Sequence, residues 1–235
     1  MRALQRRRDA AHTPVVWQAA SVLLGYPDER LVGLLPLVRD AVAELPGRLG
    51  GPLLGALDGL SDLPLLAAQQ QYVETFDHRR RRTLYLTYWV AGDTRNRGRA
   101  ILRFAEVYRA SGATPPREEL ADHLAVVLEF AATVDPVAGR RLLATHVTPL
   151  SMLHDALAQH ASPYAGVVEA VLATLPPPGP ADLAEARRLA QAGPPVEAVG
   201  LEPYPVAGLP VAALPVAGLP VAGLPVAGSD RGGVR

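Results

Sequence analysis

The sequence predicts an all-α protein: a bundle of about eight helices followed by a disordered proline-rich tail. Three observations predict it. Apolar residues recur at three- and four-residue spacing in segment after segment from Val16 to Leu175. No stretch shows the sustained alternation, bounded by paired turn residues, that a half-buried strand requires. Proline and glycine, 23 and 21 of 235 residues, concentrate after Leu175, where regular packing should therefore end.

Residues 1–12 (MRALQRRRDAAH) read as a disordered basic lead. Together with VVWQAASVLLG they loosely copy a secretory signal, but Gln18 and Ser21 interrupt the apolar run, no convincing cleavage site follows, and the pattern continues as an amphipathic helix. Thr13 as N-cap and Pro14 at the first helical position start that helix. Its buried face is Val16, Ala19, Ala20, Leu23 and Leu24, with Trp17 flanking it. Gly25-Tyr26-Pro27-Asp28 stops it, and Asp28 caps a second helix over Leu31 to Leu45, which Pro36 should kink or delay.

Gly47 to Pro52 reads as a break before a weaker apolar segment to Leu60. Asp62 is expected to cap the next helix, which runs through Phe76 with Tyr72, Thr75 and Phe76 on one face. Arg79 to Arg82 lead into Leu84, Tyr85, Tyr88 and Trp89. Gly92-Asp93-Thr94 ends that helix and caps the following one, whose apolar side is Ile101, Phe104, Ala105 and Tyr108. Beyond the Gly112 to Pro116 break, a helix is expected from about Arg117 to Ala131. Pro136 begins another, which Pro149 should kink or divide, and Ser162-Pro163 opens the last, to Leu175.

The helical domain is thus placed at 13–175. Residues 176–203 read as a proline-rich linker with a short helix over Ala181–Ala192, and 204–235 as a low-complexity tail. Five pentapeptides succeed one another there: YPVAG, LPVAA and three copies of LPVAG. Proline at every fifth position removes backbone donors and forbids regular helix or central strand, and the period is too short for a packed solenoid unit.

Composition narrows the functional classes. Formal net charge is zero, so the whole chain has no electrostatic reason to coat nucleic acid or an anionic membrane. Absence of cysteine removes disulfides, thiolate zinc sites and cysteine-ligated clusters and fits a cytoplasmic protein. No stretch approaches the roughly 18–20 uninterrupted apolar residues of a membrane span. The six histidines form no HExxH and no pair at metal-ligand spacing on one helix face, so no metal site is expected. No GxSxG, P-loop or post-strand GxGxxG occurs.

What stands out is the stretch from Tyr72 to Phe130, where nine arginines fall between Arg79 and Arg109. All basic residues in the chain are arginine, the side chain suited to bidentate contacts. An apolar face beneath crowded guanidinium groups suits holding another chain better than making bonds. The best polar cluster is Asp122-His123, with Glu119 one turn before and Glu129 two turns after, so that Glu119 can pair with His123 across a turn. It reads as a polar latch to a neighbouring helix or as a rim contacting a bound peptide. Two other functions are open: a hydrolase using Glu119, Asp122 and His123, for which no nucleophile is supplied, and an Arg-rich helical nucleic-acid-binding regulator.

Three motifs in order carry a resemblance: YVETFD at 72–77, GDTRNRG at 92–98 and ELADHLAVVLEF at 119–130. Together they resemble the assembly chaperones of respiratory nitrate reductase, the NarJ group within the TorD/DmsD-like redox-enzyme maturation proteins. The likeness covers about Pro14 to Leu175, and PPVEAVGLEPY at 194–204 is similar to the chain end of some members. Ala121 and Ala125 stand where family members usually carry prolines, which should let the local helix begin earlier.

The resemblance implies a TorD-like fold and a cytoplasmic, non-catalytic chaperone with no permanently bound cofactor. By that likeness it would bind the N-terminal segment of the nitrate reductase catalytic (alpha) subunit, or the alpha-beta complex. It would hold the apo-enzyme open for molybdenum cofactor insertion before membrane docking and leave the finished enzyme. It implies Tyr72, Phe76, Leu84 and Tyr88 near a groove for an amphipathic helix, with Arg95, Arg97, Asp122 and His123 as polar contacts or latches; Glu119 and Glu129 are the latch residues of the polar cluster itself. No nucleic acid partner and no stable membrane insertion are expected.

Overall fold

The computed structural model describes residues 2–77 and 80–195, with side chains from Ala11 onward except that of Arg80. The pentapeptide tail, the linker beyond Pro195 and the His78-Arg79 step lie outside the described residues. Among the described residues there are eleven α-helices and no strand. In chain order these are α1 (Arg2–Leu23), α2 (Glu29–Ala43), α3 (Gly47–Ser61) and α4 (Leu65–Phe76), then α5 (Leu86–Ala91), α6 (Arg95–Ala110) and α7 (Leu124–Thr133). The last four are α8 (Pro136–Thr145), α9 (Val147–Ala158), α10 (Tyr164–Ala173) and α11 (Pro180–Ala192).

Several starts fall where side-chain chemistry puts them. Asp28 Oδ1 accepts from the Leu31 amide at 2.7 Å and caps α2. Asp135 Oδ1 takes the Val137 and Ala138 amides at 3.0 and 2.9 Å, and Pro136 follows at the first helical position of α8. Other starts differ from the sequence reading. α1 runs back through Pro14 to Arg2, so the basic lead is helical backbone and Thr13 is no cap. α3 passes through Pro52 without a break. Asp62 ends α3, and α4 begins after Pro64. The helix expected around Pro149 divides at His146, leaving Pro149 in the first turn of α9, where a missing amide costs least.

The largest departure is at α7. It starts at Leu124 and not near Arg117, although Ala121 leaves the backbone free to coil. Residues 84–86 compete for those backbone groups. Leu86 N–H donates to the Asp122 carbonyl at 3.1 Å, and Leu124 N–H donates to the Leu84 carbonyl at 2.8 Å. The resulting antiparallel bridge between Tyr85 and His123 keeps both segments extended and delays α5 to Leu86 as well.

Packing follows the apolar stripes. α1 lies across α7 and α10, α3 packs on α10, and α7 on α8. Leu49, Leu53, Leu57, Leu124, Leu128, Leu150 and Val167 are fully buried between them, each contributing roughly 1.5–3 kcal/mol. Trp17 belongs to that core and does not flank it, being 0% exposed. Its indole Nε1 donates to Thr174 Oγ1 at 2.9 Å, and the Arg140 guanidinium sits 5.2 Å over its ring.

Gly166 and Gly92 are two of the glycines that permit close approaches. A Cβ on Gly166 of α10 would strike the Pro52 carbonyl oxygen of α3. Gly92, with φ +59°, ends α5 in the left-handed region, and a Cβ there would collide with the Pro195 carbonyl. α11 is not a lone helix: it packs on α9, buries Leu189, and accepts from Thr148 Oγ1 at the Asp182 carbonyl. No helix among the described residues is long and apolar enough to cross a membrane.

Candidate functional site

The bridge between Tyr85 and His123 forms one wall of a cleft of about 390 Å³. α4 and its C-cap supply Tyr72, Phe76 and Asp77, the extended strip supplies Leu84 and Tyr85, and the approach to α7 and its first turn supply Glu119, His123, Ala125 and Val126. Gly25 and Tyr26, from the turn between α1 and α2, close the remaining side. The floor is aromatic. Tyr72 meets Tyr26 edge-on at 5.4 Å and Phe76 at 4.8 Å between centroids, and Phe76 meets Tyr164 at 4.8 Å. The Tyr72 hydroxyl donates to the Leu24 carbonyl at 3.1 Å, and burial pushes its pKa up.

Tyr85 is the hub of the polar rim. Its hydroxyl donates to Glu119 Oε1 at 3.0 Å, its ring stands edge-on to His123 at 5.3 Å, and Arg97 lies over the ring at 5.2 Å. Burial, and then the Glu119 carboxylate, push its pKa up to about 12. His123 is 8% exposed, and its Nδ1 is sealed from solvent with no hydrogen-bond partner. Burial lowers its pKa, against the opposing pull of Glu119 and Asp122, so the ring is neutral at neutral pH. Glu119 bonds Tyr85 and the Leu120 amide, not His123. The expected i, i+4 pair does not form because no helix runs through 119–123.

Of the residues singled out from sequence, Tyr72, Phe76, Leu84, Glu119 and His123 line this cleft. Tyr88 and Arg97 do not: Arg97 lies 5.8 Å over the Tyr88 ring, behind Tyr85, and bonds Asp93 at 3.3 Å. Arg95 is elsewhere. It lies with Arg99 and Arg103 at i, i+4 and i+8 along the outer side of α6, beside Val90 and Pro195 in a second cleft of about 700 Å³. Glu129 is exposed on α7, lines a smaller hollow beside Phe130 and latches nothing near His123. Tyr26, Tyr85 and Asp77 belong to the cleft without having been singled out. The aromatic within the Gly-Tyr-Pro-Asp turn was the available signal for Tyr26.

Asp122 is a structural member. It is 0% exposed, and its Oδ2 accepts from Thr87 Oγ1 at 2.6 Å and from the Thr87 amide at 3.2 Å. It thereby caps the start of α5 from a different part of the chain. A hydrolase built on Glu119, Asp122 and His123 does not fit this geometry. The Asp122 carboxylate faces α5, it makes no hydrogen bond to His123, and the hydroxyl beside it, that of Thr87, is 1% exposed. No group of three or more His, Asp or Glu side chains is placed to hold a metal ion among the described residues.

A family model described as nitrate reductase delta subunit matches residues 38–169, which include most of the cleft. The nitrate reductase-like protein NarX of Mycobacterium tuberculosis is 52% identical over 164 residues, 68% of this chain, and the chain spans only 24% of that protein's length. The probable nitrate reductase molybdenum cofactor assembly chaperone NarJ of Bacillus subtilis is 32% identical over 162 residues, covering 68% of this chain and 88% of the relative. The nitrate reductase molybdenum cofactor assembly chaperone NarJ of Escherichia coli is 32% identical over 155 residues, 65% of this chain and 66% of the relative.

Proposed function

Because the chain belongs to the nitrate reductase delta subunit family, we propose that it is a maturation chaperone for a respiratory nitrate reductase and catalyses no reaction itself. It binds the N-terminal segment of the catalytic subunit and holds the apo-enzyme competent for molybdenum cofactor insertion. It acts in the cytoplasm, before the complex docks at the membrane, and is not part of the finished enzyme. The names of the Bacillus and Escherichia relatives support the assembly role.

The observation that carries the reading is the aromatic cleft bounded by Tyr72, Phe76, Tyr85 and His123. An amphipathic helix laid there would bury its apolar stripe on the rings and meet polar groups at the rim, the helix-in-groove mode of peptide recognition. The cofactor goes into the partner, so this chain needs no cofactor pocket of its own. The test is calorimetric titration of the full chain with a synthetic peptide matching the start of the catalytic subunit. Heat at micromolar concentration that disappears on Val126→Arg, which fills the cleft, is the expected result. A peptide that gives no heat, in cells whose reductase matures normally without this chain, overturns the reading.

A further inference from the structure

Helix α6 carries arginines on two faces, and only one of them turns toward the aromatic cleft. Arg97 lies inward over the Tyr85 and Tyr88 rings and bonds Asp93 at 3.3 Å. Arg95, Arg99 and Arg103 follow one another at four-residue steps on the outer side and line the separate cleft of about 700 Å³. Four helical residues rise about 6 Å, so the row presents cationic heads at a regular interval. No acidic side chain lines that cleft among the described residues. Arg99 and Arg103 are exposed and make no hydrogen bond or ion pair there. The acids nearest along the chain do not answer them: Asp93 is held by Arg97, and Glu106 does not line the cleft.

Such a row is unfavourable by itself. Like charges four residues apart on a helix repel, and cations in the first turns oppose the positive end of the helix dipole. An anionic partner relieves both. Val90 is 57% exposed beside the row, so the surface offers apolar contact as well as charge. Nucleic acid fits it poorly: no aromatic ring lines the cleft for a base to stack on, and a net charge of zero gives no long-range pull. Carboxylates fit it well, because each can take a guanidinium in a bidentate pair.

We propose that the outer face of α6 is a second docking surface, for a protein segment carrying glutamates at four-residue spacing with an apolar residue between them. Its carboxylates meet Arg99 and Arg103, and its apolar residue covers Val90. The two clefts share no lining residue, so a partner seated on α6 leaves the aromatic cleft open.

The test is fluorescence anisotropy of the full chain with three labelled synthetic peptides at low salt. The first is a Leu/Ala helix with Glu at every fourth position. The second has Gln in place of each Glu, and the third gathers the same glutamates into one block. Wild-type chain should bind the first about tenfold more tightly than the other two. Arg99→Gln/Arg103→Gln should bind all three alike and weakly, with a thermal melt unchanged or raised by the lost repulsion. If the block peptide binds as well as the first, the face is only a diffuse charge and the proposal falls. It falls also if the double variant binds the first peptide undiminished. An oligothymidylate that displaces the first peptide at equal concentration assigns the face to nucleic acid instead. A Glu197→Gln/Glu202→Gln chain that binds the first peptide about tenfold more tightly than wild type assigns it to the chain's own linker, and either result overturns the proposal. Each of these outcomes leaves the reading of the aromatic cleft as it stands.

Discussion

The carboxylate of Asp122 closes the first turn of α5, holding the Thr87 hydroxyl at 2.6 Å and the Thr87 amide at 3.2 Å across a sequence gap of 35 residues. The wall of the cleft depends on this link, since Tyr85 immediately precedes α5 and His123 immediately follows Asp122. Asp122→Ala would strand a buried amide and a buried hydroxyl, at about 1–3 kcal/mol for each. Asp122→Asn keeps an acceptor and should cost less. Urea denaturation of the two variants checks the order. Equal midpoints for Asp122→Ala and wild type would remove Asp122 from this role.

A second link ties α1 and α8 to the end of α10. Thr174 accepts from Trp17 Nε1 at 2.9 Å, and its carbonyl accepts from Arg140 Nη1 at 2.8 Å. Thr174→Val leaves a fully buried indole N–H unpaired and is expected to lower stability by about 1–3 kcal/mol. Trp17 fluorescence followed through unfolding reports both the change in midpoint and the altered surroundings of the ring.

Gly166→Ala tests a close contact between helices. The added methyl would meet the backbone of Pro52, which cannot swing aside as a side-chain tip can. Overpacking of this kind costs typically 1–3 kcal/mol and sometimes more. The same substitution at Gly33, whose Cβ would meet nothing within 4 Å, should be neutral or slightly stabilising. A paired thermal melt separates the two outcomes.

The pH dependence of stability follows from two histidines. Burial is the larger cause holding His123 and His146 below the ordinary value of 6.5; Glu119 and Asp122 oppose it at His123, and the Leu142 carbonyl and Asp122 at His146. Below pH 6.5 the unfolded chain therefore binds more protons than the folded one. Stability is fully present above that value and is lost as pH falls toward the folded pKa values. Unfolding free energy should drop between roughly pH 7 and 5, and His123→Gln should flatten the slope. Asp135, whose pKa is lowered below 3.8 chiefly by the Ala138 amide and then by Ser111, adds a separate loss as pH falls through that lower range. A profile that stays level across the histidine window contradicts the assignment.

The helical class was legible in the sequence because a 3.6-residue stripe registers at every turn. The caps Asp28 and Asp135 were legible because capping is local chemistry. Boundaries set by distant groups were not. Nothing near Arg117 shows that 121–124 will bond to 84–86, and nothing near Pro52 shows that Gly166 lets α10 press against it. Half of the cleft was read for the same reason. Tyr72, Phe76 and Leu84 lie on stripes that point inward, whereas Tyr26 and Asp77 lie beyond helix ends and reach the cleft through tertiary placement alone. Asp122 was read as a polar contact or latch. The structure makes it the cap of a helix that starts 36 residues earlier, at Leu86.

The contact between Gly92 and Pro195 has a bearing on how this protein can vary over evolutionary time. Only a residue without a side chain fits where the end of α5 meets the backbone of Pro195, and any side chain placed there would disturb both. Position 92 is therefore closed to drift.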